Sequence, residues 1–174
     1  MKLIHIKSLF ILVLMISSCE KRNKFDEIQG IITVNDINLQ LSIENVKGVE
    51  IEGLPIDTAS DESIKIHVTN EFSLRGKVDI ETNKPYKLSV TLMNESANPL
   101  VLYSFWKGPI TLKRSFVLDG QPGNPPASKT QKVSAEWKTY ETTLKAEEGE
   151  DSIMLNIFSE SGIFYLKEIR IEAI

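Results

Sequence analysis

Tyr86-Lys87-Leu88-Ser89-Val90-Thr91-Leu92 alternates apolar and polar side chains at every position. Because successive side chains of a strand point to opposite sides of the sheet, this pattern predicts a strand with one buried face. Two other segments share this pattern. Isoleucine and valine alternate with lysine and histidine in residues 64–68, and isoleucine and leucine alternate with methionine and asparagine in residues 153–157. The alternation therefore predicts a sheet protein whose strands each bury one side.

The same pattern recurs from residue 28 onward, between turn formers such as Asn83-Lys84-Pro85 and Asp119-Gly120. No stretch of about twelve residues keeps apolar side chains at three-and-four spacing, so no substantial helix is expected. We predict one all-β domain, a two-sheet antiparallel jelly-roll β-sandwich. Its other strands are predicted at residues 31–34, 39–43, 48–51, 72–80, 100–105, 110–118, 138–144 and 169–171.

The N-terminus has the order of a bacterial lipoprotein signal peptide. Lys2 and Lys7 make the N-terminus basic, residues 9–16 are all apolar, and two serines precede Cys19, which is the chain's only cysteine. This apolar run is shorter than the roughly 20 residues that span a bilayer, and its length suits a signal peptide. Cys19 is therefore predicted to carry the lipid; the alternative is an unmodified thiol.

These features divide the chain into a signal peptide at residues 1–18, a flexible polar tether at 19–27 and the sandwich domain at 28–174. The acyl chains on Cys19 would hold the domain on a membrane. The predicted location is the bacterial cell envelope at the outer membrane, facing either the periplasm or the exterior.

The charge balance is acidic, with 20 basic and 24 acidic residues and a formal net charge of −4. Loss of the leader would also remove Lys2 and Lys7, which makes the mature domain more acidic still. Because nucleic-acid binding draws its affinity from clustered lysine and arginine, no nucleic-acid partner is expected. With one cysteine, the domain has no internal disulfide and must be stabilised by its core.

Three segments of the C-terminal part resemble a known family: residues 135–141 (AEWKTYE), 153–158 and 162–169 (GIFYLKEI). They are similar to the closing strands of galactose-binding-like jelly rolls, the carbohydrate-binding modules attached to cellulases and xylanases. Residues 86–90 are similar to that family's central strand. The resemblance covers about residues 64 to 174 and implies a jelly-roll fold that binds a polysaccharide or oligosaccharide.

The resemblance also bears on metal binding. The family's final strand often supplies a carboxylate to a structural calcium, and the matching position here is Lys167. An ammonium cannot ligate calcium, which takes six to eight oxygen ligands. Either the ion is lost and Lys167 lies beside carboxylates of early strands, or the register is one residue later and Glu168 is the ligand. We favour the lost ion and predict no metal and no cofactor.

The two tryptophans are predicted to have different roles. Trp137 and Tyr140 match family positions that mostly pack between the sheets, so both are predicted to lie in the core. Trp106 ends a predicted strand directly before Lys107-Gly108-Pro109, where a flat ring could be exposed and stack on a pyranose. The alternative for Trp106 is an anchor beneath the loop at residues 119–126.

The predicted ligand-binding residues are Trp106 first, with Tyr103, Lys107 and Arg114 as nearby polar groups. Arg114 interrupts an expected inward series of Ile110, Leu112, Phe116 and Leu118. Because a buried arginine must be paired, it could be a bulge residue, an internal salt bridge or a donor on a binding face.

No catalytic machinery is recognisable in the sequence. The acidic clusters at residues 57–62 and 147–151 are predicted to be solvated turns, and no nucleophile elbow, zinc motif or phosphate loop is present. The leading hypothesis is a non-catalytic, lipid-anchored glycan-binding protein. The second is a structural or protein-interaction subunit of an envelope uptake or adhesion complex, with an envelope protein as partner. An enzyme is the third.

Overall fold

The computed structural model describes residues 32–34, 39–44, 49–55, 62–108, 111–118 and 132–174. The predicted signal peptide, Cys19 and the tether lie outside these residues, as do Ile110, the acidic residues 57 and 61 and the loop at 119–126. Within the described part of the chain, no helix is long and apolar enough to span a membrane.

Eleven strands form from the described residues, and they match the segments in which apolar and polar side chains alternate. In chain order they are β1 (Ile32–Val34), β2 (Leu39–Glu44), β3 (Val49–Pro55), β4 (Glu62–Val68), β5 (Phe72–Asp79), β6 (Pro85–Asn94), β7 (Leu100–Lys107), β8 (Thr111–Val117), β9 (Lys138–Lys145), β10 (Ser152–Ser159) and β11 (Gly162–Ala173).

The strands build two sheets. The six-stranded sheet has the order β3-β4-β11-β6-β9, with β1 pairing beside β11, and the five-stranded sheet has the order β2-β5-β10-β7-β8. All pairings are antiparallel except that of β1 with β11. The prediction of an all-β, two-sheet jelly-roll sandwich is confirmed.

Alternate side chains of the two sheets face each other and form one hydrophobic core. Phe72 of β5 and Phe164 of β11 meet across the layers with ring centroids 5.8 Å apart, edge to face. The predicted inward residues of β4, β6 and β10 all lie in this core, among them Ile66, Leu88 and Leu155. Burial of these alternating aliphatic and aromatic groups is what stabilises the fold.

A β-bulge in β11 keeps both halves of this long strand in register with the core. Leu166 pairs with Leu92 and Glu168 with Thr91, so Lys167 is the additional residue. Inward positions are even-numbered before the bulge, as at Leu166, and odd-numbered after it, as at Ile169. The bulge therefore lets β11 bury apolar side chains along its whole length, although the inward positions change from even to odd numbers at Lys167.

A second irregularity lies between β7 and β8 and corrects one prediction. Phe105 pairs with Arg114 but Trp106 pairs with Leu112, which leaves Lys113 as the additional residue. Leu112 was predicted to face inward, but its side chain is 44% exposed. The extra residue reverses the side-chain direction of Leu112 relative to Phe116.

Candidate functional site

The outer face of the five-stranded sheet, the side turned away from the core, carries polar and apolar side chains together. Its rows are set by the strand register: Leu100, Phe158 and Ser73 lie side by side at one end, and Trp106, Ser152 and Asp79 at the other. Between these ends lie the rows of Leu102, Asn156 and Arg75, and of Ser104, Met154 and Lys77.

A cleft of about 650 Å³ opens at the first of these ends. It forms where β5 and β7 begin and β10 ends, beside the β6–β7 loop and the β10–β11 turn. Its lining combines five hydroxyl or amide side chains, three apolar ones and three charged ones. The polar members are Ser73, Ser96, Asn98, Ser159 and Ser161, the apolar members are Phe72, Leu100 and Phe158, and the charged members are Glu71, Arg75 and Glu160. Phe72 also belongs to the core.

The loop that forms one wall of the cleft is held by backbone hydrogen bonds. The amides of Glu95, Ser96 and Ala97 lie 3.1, 3.0 and 3.1 Å from the carbonyl oxygen of Ile163, and the Ile163 amide donates to Ser96 Oγ at 2.9 Å. Gly162 makes this approach possible, since a Cβ there would lie 2.6 Å from the backbone nitrogen of Ala97 and its φ is +137°.

The cleft offers partners for a polar ligand that also has an apolar face. Serine hydroxyls and the Asn98 amide can donate and accept hydrogen bonds, while Phe158 and Leu100 provide a hydrophobic surface. Sequence reasoning missed these residues. The alternation on β5, β7 and β10 predicts that they share one face, but it does not reveal which end of that face is open.

Trp106 lies at the opposite end of the same face, outside the cleft lining. Its side chain is half-buried and its Nε1 is buried without a hydrogen-bond partner among the described residues. Leu100 and Trp106 are six residues apart on β7, about 20 Å at strand rise, and the intervening Leu102 and Ser104 are buried. The role of Trp106 as a ligand contact stays a prediction, separate from the cleft.

Tyr103 requires a correction, because it is a core residue. Its side chain is 1% exposed on the inward side of β7, and its hydroxyl has no hydrogen-bond partner among the described residues. Burial raises the pKa of the Tyr103 phenol far above its usual range. A side chain enclosed in this way presents no surface to a saccharide, so the prediction of Tyr103 as a ligand contact is wrong.

Arg114 forms an internal salt bridge at the open edge of the sandwich, which is one of the three predicted alternatives. Its Nε and Nη2 donate to the two carboxylate oxygens of Glu150 at 2.8 and 2.7 Å, and its Nη1 lies 2.8 Å from Glu147. The guanidinium also lies over the rings of Phe105 and Phe116. Hydrogen bonding to Glu150 raises the pKa of Arg114.

Lys107 lies near the same edge of the sandwich. Its Nζ is 3.2 Å from the position that a Cβ would take on Gly149, in the loop between β9 and β10. That loop also contains Glu150, the partner of Arg114. The structure thus places Lys107 and Arg114 at the β9–β10 loop, Trp106 on the outer face and Tyr103 in the core. The four predicted ligand-binding residues therefore do not form one site.

The acidic cluster at residues 147–151 is solvated only in part. Glu147, Glu148 and Asp151 are exposed, as predicted, but Glu150 is 1% exposed, and its carboxylate accepts from Arg114 and from the Glu147 amide. The Gly108 amide donates to Asp151 at 2.6 Å and lowers the pKa of that carboxyl.

The residues considered for a calcium site lie in and beside the β11 bulge. Lys167 is the bulged residue, and the carboxylate of Glu168 accepts a hydrogen bond from Arg170. Within the ranges that the structure describes, no group of three acidic, histidine or cysteine side chains is arranged to hold a metal ion.

The positions of Trp137 and Tyr140 differ although both were predicted to be buried. Tyr140 is in the core, 5% exposed, and its hydroxyl accepts from the Ser134 amide at 2.9 Å. Trp137 is 37% exposed and packs edge-on against Tyr165. The prediction for Tyr140 is confirmed and that for Trp137 is wrong, because Trp137 precedes β9 on the side that faces away from the core.

Comparisons with known proteins concern the fold. No family model and no curated protein matches the chain. Among solved structures, it is similar to the enzymatically active domain of tailspike protein 4 of bacteriophage CBA120, with 14% identity over 79% of this chain and a TM-score of 0.56.

Two carbohydrate-binding structures are also similar. One is the CBM22-1–GH10 part of Clostridium thermocellum xylanase 10B complexed with xylohexaose (13% identity, 75% of this chain, TM-score 0.49). The other is the CBM22-1 xylan-binding domain of Paenibacillus barcinonensis (12% identity, 76% of this chain and 85% of that one, TM-score 0.46). The chain spans 19% of the tailspike structure and 25% of the xylanase structure. At these identities the similarity concerns the fold alone.

Proposed function

We propose that this protein is a non-catalytic glycan-binding protein and that the cleft on the five-stranded sheet holds the saccharide. The observation that carries the proposal is the cleft lining, in which hydroxyl and amide groups surround the apolar side chains of Phe158 and Leu100. A sugar ring has the matching chemistry, with hydroxyls around its rim and C–H groups on its faces. The cleft volume of about 650 Å³ falls within the usual range for ligand pockets.

The expected affinity is weak. A sugar ring packed on Phe158 would bury apolar surface at about 25 cal/mol per Å², and each neutral hydrogen bond to Ser96, Asn98 or Ser159 would contribute about 0.5–1.5 kcal/mol. These contacts are few, and the loss of translational and rotational freedom on association opposes them, so we expect a Kd of about 1 mM or weaker. Longer oligosaccharides would gain affinity from additional units.

The first test is a glycan array followed by isothermal titration of each hit against the wild type and Phe158→Ala. Loss of the ring contact is expected to weaken binding about tenfold, or about 1.4 kcal/mol. Lys77→Ala is the matched control, because Lys77 lies on the same face of β5, pairs with Asp79 and does not line the cleft. Binding to no glycan, or equal affinities for the wild type and Phe158→Ala, would contradict the proposal.

We also propose that a lipid on Cys19 holds the domain at the bacterial cell envelope, on the outer membrane. The support is the order of basic, apolar and small residues before the cysteine. Cys19→Ser is expected to move the protein from the membrane pellet to the soluble fraction or to leave an uncleaved precursor, because the acylated thiol is removed. Retention of the variant in carbonate-washed membranes would show that the anchor is elsewhere.

A further inference from the structure

An aromatic pair lies on the other sheet, on the face that points away from the core. Tyr165 projects outward from β11 between the buried residues Phe164 and Leu166, and the Trp137 ring meets it at 6.4 Å between centroids with an interplanar angle of 64°. The Tyr165 hydroxyl donates to the carboxylate of Glu95. The exposed indole therefore has a second ring and an acceptor group as neighbours.

The segment that carries Trp137 is held in place by hydrogen bonds on its N-terminal side. The Asn94 amide donates to the Ser134 carbonyl at 2.8 Å, and the Glu136 amide donates to Ser134 Oγ at 3.0 Å. On the other side β9 begins at Lys138. A ring that is already positioned loses little conformational entropy when it binds a ligand.

We propose that Trp137, Tyr165 and Glu95 form a second saccharide-binding site, separate from the cleft, on which a neutral sugar ring stacks against the indole. The Tyr165 hydroxyl fixes one side of the Glu95 carboxylate, and the remaining lone pairs can accept hydrogen bonds from sugar hydroxyls. Glu95 is exposed and contacts Tyr165, and the exposed Glu136 directly precedes Trp137 in the chain. Their negative charges disfavour a glycan that carries carboxylates of its own.

The size of the apolar surface favours a sugar over a protein partner. The large hydrophobic side chains exposed in the described part of the chain are Leu112, Trp137 and Ile174. Leu112 lies on the five-stranded sheet beside Trp106. The Ile174 amide donates to the Pro85 carbonyl at the start of β6, whereas Tyr165 pairs with Met93 at the opposite end of that strand. A stable protein interface buries about 800 Å² on each partner, whereas one face of a pyranose ring needs only the area of a single indole.

The two sites lie on either side of the β6–β7 loop. Glu95 belongs to the aromatic site, while Ser96 and Asn98 line the cleft. The Asn98 side chain also accepts from the Val133 amide at 3.2 Å, in the segment leading to Trp137. Two weak sites on one rigid domain would raise the avidity for a polymeric glycan without any further contact.

The test uses the indole N–H resonances of the two tryptophans in a ¹⁵N–¹H spectrum of the whole protein, assigned with Trp137→Phe. Titration with cellohexaose, xylohexaose and mannohexaose is expected to shift the Trp137 resonance saturably for at least one of them. Hexagalacturonate is expected to leave it unshifted. Glu95→Gln should weaken the binding about fivefold, since a charged acceptor is lost.

The variant Phe158→Ala separates this site from the cleft. The Trp137 resonance should still shift in Phe158→Ala, and this shift should persist even if the cleft binds nothing. An unshifted Trp137 resonance with all three neutral hexasaccharides would overturn the second site. So would a shift that disappears in Phe158→Ala, because the signal would then originate in the cleft.

Discussion

Replacing Arg114 by methionine is expected to lower the free energy of unfolding by about 3 to 5 kcal/mol, the usual cost of leaving one partner of a buried ion pair without its counter-charge. Glu150 is the buried partner, and it accepts two hydrogen bonds from the Arg114 guanidinium. Methionine would keep the packing against Phe105 and Phe116 but not the charge.

Chemical denaturation measures this loss, and thermal melting should show it as a drop of about 10 °C for a domain of this size. Arg170→Met is the matched control. Arg170 also contacts two glutamates, Glu168 and Glu172, but both of these carboxylates are partly exposed, and surface ion pairs contribute about 0 to 1 kcal/mol. Equal losses in the two variants would mean that Glu150 is solvated.

The sequence predicted where strands form because strand alternation is a local signal. Every segment of alternating residues became a strand, although the alternation had predicted only residues 169–171 of β11. A bulge is set by pairing with a neighbouring strand, and it carries no local signal. The direction of Leu112 was therefore predicted wrongly, because Lys113 adds one residue opposite Phe105 and Trp106.

The candidate sites were less predictable because long-range pairing assembles them. Ser73 and Phe158 share the cleft through the β5–β10 register, although they are far apart in the chain. Glu150 is one of several acids in a short loop, and the sequence does not show that it is the buried one, which accepts two hydrogen bonds from Arg114. The wrong prediction for Trp137 has the same origin, since a residue next to a strand end can turn to either side.

The second large effect is expected for Phe164→Ala, with a loss of about 3 to 5 kcal/mol in the free energy of unfolding. The Phe164 ring is buried on β11 and meets Phe72 of the facing sheet. Its removal loses both the burial of the ring and the contact that joins the two layers, and it leaves a cavity that a close-packed core cannot readily fill.

Trp137→Ala is the control for Phe164→Ala, because it truncates an even larger ring, yet one that is 37% exposed and rests on Tyr165 at the surface. Its expected cost is about 1 kcal/mol, the scale of a single aromatic contact, so its melting temperature should stay within a few degrees of the wild type. A loss equal to that of Phe164→Ala would identify Trp137 as a core residue after all. The indole would then be unavailable to a sugar ring, and the second saccharide site would fail on stability data alone.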